Sequence, residues 1–380
     1  MSRTVAGVVH RTVAHLEERR PVLLLLAGLN AVTGLLTAVV TIPLSLGADL
    51  GPLRIGASEF GGTPPEVPVF LYSPIAAAMA VPLSQAPLSV LTAAWITAGA
   101  SLLLAGVARE THGWPAIDRV LAAVAVLMWV PVVNELVLCQ VTLVLAAAAW
   151  GVIRGGGSRI SGIPMGIVLA TIPKPMLLPF LVWMAFRRPH AFVSTLVTAC
   201  VLTVAGVALF GPDRYAGWFR SLAHAGAVDR LGNLSLWADG PVPLAMSAAA
   251  IALALVLLAI LADEDAGLVA AFVAGLLLAP YTLAYGVTIL LVALGAALRA
   301  HRRATIGLAL TSALAIFGAF PAWSFVALAT FFWASRRSRA PGDPDHDDDG
   351  PSTVAGRRRV RDDAGPQVRS ASARLDGRYD

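Results

Sequence analysis

The chain has one lysine, Lys174, and it stands between Pro173 and Pro175 inside an apolar run from Ile163 to Phe180. An ammonium at that depth is expensive and is kept where something anionic or polar needs it. The alternative is a lysine at a helix end that snorkels its charge to an interface. Proline on both sides suits either reading, because it breaks a helix where a charge can meet water or a ligand. Other reactive groups gather in three places. Asp49 follows directly on the first long apolar run, and the segment from Gly47 to about Pro87 adds Arg54, Glu59, Glu66 and Phe70-Leu71-Tyr72-Ser73-Pro74. A second polar segment, Gly211 to Gly240, carries Asp213, Arg214, Tyr215, Trp218, Phe219, Arg220, His224, Asn233, Ser235 and Trp237. A short third loop holds Asn134, Glu135 and Gln140. Together these supply acid, base, amide and aromatic groups, with Lys174 as a fixed charge for an anion.

The elements that must position these groups are membrane spans. Hydrophobic residues make up 57% of the chain and charged ones 13%, and mean hydropathy is +0.75. Soluble domains carry about 25% charged residues, so the composition is that of an all-α polytopic membrane protein. The apolar run from about Pro21 to Leu46 follows a basic N-terminus and is too long for a signal-peptide core, which points to an uncleaved signal anchor. Candidate spans lie at roughly 21–46, 88–108, 117–133, 136–153, 160–173, 175–186, 190–210, 241–262, 267–281, 282–299, 304–320 and 321–335. Several are shorter than the ~20 residues of a straight span, so tilted, broken or paired half-helices are expected. With the N-terminus in the cytosol, alternation puts Arg109/Arg119, Arg154/Arg159, Arg187-Arg188, Arg299/Arg302/Arg303 and Arg336-Arg337 inside, as the positive-inside rule asks. This needs about twelve spans, with Val69–Leu83 lying along the outer surface. The polar segments and the break at Lys174 then share the extracytoplasmic face. Both termini are cytoplasmic, and the membrane is the plasma membrane.

The same pattern divides the chain into a cytosolic N-terminus (1–20), a membrane-embedded domain (21–335) and a charged tail (336–380). The tail joins acidic Gly342–Gly350 to basic Arg357–Arg361 with few apolar residues, and is expected to be disordered. The net charge of +5 is carried by short arginine clusters at the ends of apolar runs, without interleaved aromatics, so no nucleic acid partner is expected. Cys139 and Cys200 lie in or beside apolar runs and suggest neither a disulfide framework nor a metal site. Gly155-Gly156-Gly157 lacks the Lys-Ser/Thr of a phosphate cradle, and neither G-x-S-x-G nor H-E-x-x-H occurs. A nucleotide substrate is therefore disfavoured, and a donor would arrive through the lipid. The tripeptide Asn233-Leu234-Ser235 has the form of a glycosylation sequon, a pattern common by chance.

In order and context, residues 20 to 335 resemble the GT-C glycosyltransferases and, within them, glycosyltransferase family 87, which includes polyprenyl-phosphate-mannose-dependent α-1,2-mannosyltransferases. The resemblance is carried by a first span ending in Asp49-Leu50 and by Phe70-Leu-Tyr-Ser-Pro-Ile-Ala-Ala, similar to the family's aromatic-Tyr-Pro-Pro helix. Asn134…Gln140-Val-Thr-Leu-Val-Leu is similar to its Gly-Gln-Val-Asn-Leu segment, and Gly162…Gly166…Pro173-Lys174-Pro175…Arg187-Arg188 to its Gly-x-x-x-Gly…Lys-Pro…Arg-Arg run. The aromatic outer segment ending Asn233-Leu-Ser235-Leu completes it. Ser73 stands where the family has a first Pro, Cys139 where a Gly precedes Gln, and Arg54 near the place of a Tyr.

The resemblance implies a GT-C-like bundle and inverting transfer of a mannosyl or related residue from a β-linked polyprenyl phosphate to a lipid or glycan acceptor of the cell envelope. Such a reaction needs a carboxylate to take the acceptor proton, which is worth about 10²–10⁴-fold. Asp49 is the first candidate and Glu59 the second; a helix-capping aspartate is the competing account of Asp49. It needs positive charge on the departing phosphate. Lys174 fits, and Arg214 could assist or could simply pair with Asp213. It also needs a lining for the sugar: Tyr72, Asn134, Gln140, Trp218, His224 and Asn233, with Trp237 beside them. Each aromatic could instead belong to an interfacial belt. Asn134 and Gln140 could instead satisfy backbone broken around Pro131. His224 could also move a second proton. No acidic cluster resembles a metal cage, so neither a metal nor another cofactor is expected. Two rivals remain: a transporter or flippase of lipid-linked sugars with its site at the broken helices, and a silent scaffold recruiting partners through the tail.

Overall fold

The structure is a computed structural model that describes residues 19–48, 50, 72–225, 242–261, 264–279, 284–292, 305, 308 and 309. Among them the regular elements are all helical: α1 (Arg20–Ser45), α2 (Pro74–Ser84), α3 (Leu88–Glu110), α4 (Ala116–Leu127), α5 (Val130–Leu138), α6 (Thr142–Arg154) and α7 (Arg159–Thr171). A 3-10 turn (Pro175–Leu177) leads into α8 (Leu178–Arg187), then α9 (Pro189–Phe210), α10 (Pro212–Ala225), α11 (Val242–Leu261), α12 (Glu264–Leu278) and a second 3-10 segment (Ala284–Leu290). The charged tail lies outside the described residues.

Among the described residues, three helices are long and apolar enough to cross a bilayer: Pro21–Pro43 within α1, Leu88–Glu110 (α3) and Pro189–Phe210 (α9). The pair α4–α5 would make a fourth, bent by 58° at its break. Pro131 opens α5 there, and a proline at a helix start can neither continue the preceding helix nor donate to it. Thus the expected twelve spans are not reached among the described residues. Apolar runs at 136–153, 160–173 and 175–186 become helices of 13, 13 and 10 residues, each well under the ~20 needed to span. The reason is local: the αL residue Cys139, the glycines 155–157 and the Pro173-Lys174-Pro175 run stop them. The runs beyond residue 292 lie almost wholly outside the described residues. The α2 helix, at 11 residues, reaches only about 16 Å.

Two further expectations change. The proposed loop Asn134–Gln140 is largely helix α5, so Asn134 and Glu135 are presented by a helix whose apolar residues are packed into the core. Likewise, the polar segment after Gly211 begins not as a loop but as α10, an amphipathic helix of 14 residues.

Close packing follows from small residues and aromatic stacking. Gly162 and Gly166, one turn apart on α7, face α9; a Cβ at Gly162 would lie 2.1 Å from the Ala191 carbonyl oxygen, and one at Gly166 2.6 Å from that of Thr195. The small-xxx-small pattern therefore lets two backbones touch, and Thr195 Oγ1 donates to the Gly162 carbonyl at 2.9 Å. At the centre, Phe180 stacks between Trp183 (5.5 Å) and Phe272 (4.9 Å), fastening α8 to α12. Asn30 Nδ2 donates to the Ala125 carbonyl at 2.9 Å, pinning α1 beside the α4–α5 bend.

Candidate functional site

The helices alternate in direction, so their ends form two chemically different poles. At one pole lie Arg19 and Arg20 at the start of α1, Arg109 ending α3, Arg119 opening α4, Arg154 ending α6, Arg159 opening α7, and Arg187 and Arg188 between α8 and α9. Ion pairs Arg154–Glu110 and Arg188–Glu264 knit this pole, and Arg187 Nη2 donates to the Ile260 carbonyl at 2.9 Å.

The opposite pole is built from helix breaks. The chain leaves α1 at Gly47, whose φ of +68° is open to glycine and whose missing Cβ would lie 2.5 Å from Thr92 Oγ1. Its N–H donates to the Val137 carbonyl at 2.8 Å, fixing the end of α1 on the end of α5. Ser73, fully buried, caps α2 through its side chain, while its own N–H donates to the Thr171 carbonyl at 3.1 Å. That contact holds the start of α2 on the last residue of α7. Three residues on, Lys174 lies half-buried in extended backbone between its prolines.

Glu135 joins these parts. It is fully buried, and Oε1 accepts from the Leu143 N–H at 2.8 Å, across the Cys139–Val141 break. The carboxylate thus serves as a remote cap for α6, where unsatisfied N–H groups and the helix dipole favour negative charge. Thr142 lies within polar reach of it and Lys174 within Coulombic range. Oε2 and the Thr142 hydroxyl are buried without a well-formed hydrogen bond. Gln140, also buried, donates its N–H to the Glu135 carbonyl at 3.0 Å. Cys139 between them has φ 58°, an αL cap that L-residues other than Asn and Asp seldom take.

Helix α10 completes the pole, packing on α2 and α9. Tyr215 is buried against Gly206, and its ring meets Trp218 edge-on at 5.9 Å. Burial raises the Tyr215 phenol above its ordinary 10.0, and the nearby Ile75 backbone offsets part of that rise. The hydroxyl is therefore neutral at physiological pH. Trp218 is half-buried and packs on Phe219 at 4.7 Å.

Of the residues singled out in the sequence, this pole gathers Lys174, Gln140, Asn134, Tyr72, Arg214 and Trp218. Tyr72 is half-buried beside the Ser73 cap, and Asn134 is half-buried on α5. Arg214 sits in the first turn of α10 and His224 in its last; of the His224 side chain nothing is described. Asp49, Glu59, Asn233 and Trp237 lie outside the described residues, although Gly47 and buried Leu50 on either side of Asp49 are placed. Glu135 is the residue that spacing alone did not mark as part of the site. The signal available was a carboxylate standing in an otherwise apolar run, between Asn134 and Leu136.

A family model, glycosyltransferase family 87, matches residues 70–328. The matched range holds Lys174, Glu135, Gln140 and α10 and begins after Asp49 and Glu59. No curated protein and no solved structure matches the chain.

Proposed function

The chain belongs to glycosyltransferase family 87 and is a membrane glycosyltransferase, and from that membership we propose that it transfers a mannosyl or related residue from a polyprenyl-phosphate sugar to a lipid or glycan acceptor at the outer face of the plasma membrane. The observation that supports this most is the convergence of helix breaks around Lys174, with the carboxylate of Glu135 in range, at the pole away from the arginines. Arginine-rich helix ends face the cytoplasm, so the Lys174 pole faces outward, where a lipid phosphate at the interface can meet it.

In the proposed reaction an acceptor hydroxyl attacks the anomeric carbon from the face opposite the phosphate. The bond from that carbon to the phosphate oxygen breaks, and the configuration inverts. Asp49, or Glu59 in second place, takes the acceptor proton as the new glycosidic bond forms. The polyprenyl phosphate leaves as an anion, and Lys174 stabilises the charge that gathers on it, with Arg214 as a second cation; charge-directed stabilisation of this kind is among the largest catalytic terms. Tyr72, Asn134, Gln140, Trp218, His224 and Asn233 line the sugar and acceptor.

The test is transfer of radiolabelled mannose from polyprenyl phosphate into lipid-extractable or cell-wall glycan, using membranes with matched amounts of wild type and Asp49→Asn. The expected loss in the variant is about 10²–10⁴-fold. Equal transfer by both removes Asp49 from the mechanism and turns attention to Glu59. Absence of transfer by wild type from any polyprenyl-phosphate sugar refutes the donor assignment.

A further inference from the structure

A cavity of about 290 Å³ lies between α3, α6 and residues 291–292, reaching from Leu143 at the start of α6 to Trp150 and Arg109 at the arginine pole. Its walls are apolar, with Leu103, Val107, Leu143 and Ala147 among them. From Leu143 to Trp150 it follows α6 for about 10 Å, at 1.5 Å per residue. On α3 it is lined from Leu102 to Glu110, so it lies as a slot alongside both helices. Leu102, on its wall, is 42% accessible, as a residue that meets lipid is. An apolar slot opening on hydrocarbon has no polar partners for water, and the bilayer supplies chains of the right width.

The mouth of the slot is different. Arg109 and Glu110, which end α3, and Trp150 of α6 form its rim. The guanidinium carbons of Arg109 and Arg154 stand 5.4 and 6.0 Å from the Trp150 ring centroid. Glu110 pairs with Arg154, so two cations and one anion leave the rim with a net positive charge. Arg109 is exposed. Apolar helices ending in arginines beside a tryptophan sit at headgroup depth. We infer that the slot binds one acyl chain of an anionic phospholipid, with the lipid phosphate on Arg109 and Arg154. A zwitterionic headgroup fits less well, because its ammonium would meet the same positive rim. Its charged rim lies at the pole opposite Lys174, while its inner end reaches Leu143, the residue that Glu135 caps.

Purified full-length protein, stripped of lipid in detergent, is titrated with phosphatidylglycerol or phosphatidylcholine and followed by native mass spectrometry and thermal unfolding. Wild type should retain one phosphatidylglycerol and be stabilised by it more than by phosphatidylcholine. Arg109→Gln, at an exposed position, should weaken that binding roughly fivefold, the effect of one basic residue at an anionic surface. Ala147→Phe, which fills the slot from its wall, should abolish it, and unfolding without added lipid checks that both variants fold. Equal affinity for the two lipids, unchanged affinity in Arg109→Gln, or phosphatidylglycerol binding that survives Ala147→Phe each overturns the inference.

Discussion

Replacing Glu135 by glutamine separates the two tasks of its side chain. An amide oxygen can still accept from the Leu143 N–H, so the cap on α6 survives, while the charge facing Lys174 is lost. Glu135→Gln should therefore fold with nearly wild-type thermal stability but transfer sugar at least tenfold more slowly, because Lys174 loses the carboxylate in its Coulombic range. Glu135→Leu also strands the Leu143 N–H and should lose about 1–3 kcal/mol of stability. Wild-type transfer by the glutamine variant would reduce Glu135 to a helix cap. At this scale the sequence made Lys174 legible, because a lone lysine between prolines in an apolar run is conspicuous. Glu135 was visible only as one member of a polar triplet, since its burial depends on how α5 meets α6 and the Pro173–Pro175 break.

The break between α5 and α6 turns on Cys139. Its φ of 58° places it in the αL region, which costs an L-residue about 1–2 kcal/mol relative to a right-handed conformation. Glycine reaches that region freely, which accounts for the glycine that stands before Gln in the family pattern. Cys139→Gly should be tolerated in both stability and transfer. Cys139→Val, β-branched at the same φ, should lower stability by about 1–2 kcal/mol. Denaturant or thermal unfolding in detergent distinguishes these; a valine variant as stable as wild type would show that the cap relaxes. The other elements follow a similar logic. Pro131 and Pro173 were readable as breakers, whereas the close approach of Gly162 and Gly166 to α9 became visible only in the fold. The helical form of residues 212–225 was obscured by their polarity, because an amphipathic helix on a bundle end carries the composition of a loop.

For the whole molecule, the two poles make a prediction about sidedness. His112 lies exposed between α3 and α4 at the arginine pole, and Ala216 is exposed on α10 at the other. The native thiols interfere little with an impermeant reagent, since Cys139 is buried and Cys200 lies within the apolar α9. In intact cells an introduced Ala216→Cys should react with such a reagent. His112→Cys should react only after permeabilisation. The reverse pattern would turn the Lys174 pole to the cytoplasm and remove the lipid-phosphate donor at the outer face.

Composition and charge placement by themselves determined an all-helical membrane protein and the alternation that sorts arginines to one pole, because long unbroken apolar runs, unlike the alternating strands of a barrel, satisfy their backbone in hydrocarbon as helices. The order of short motifs also pointed to the family. Tertiary structure decided which apolar runs are long helices and which are short ones ending at the site, since breakers act only where packing leaves their freed carbonyls a partner. It also decided that Gly47 bonds Val137, that Ser73 bonds Thr171 and that Lys174 comes within Coulombic range of Glu135. These links join positions up to 98 residues apart, Ser73 to Thr171, and only the packing of α1 on α5 and of α2 on α7 makes them.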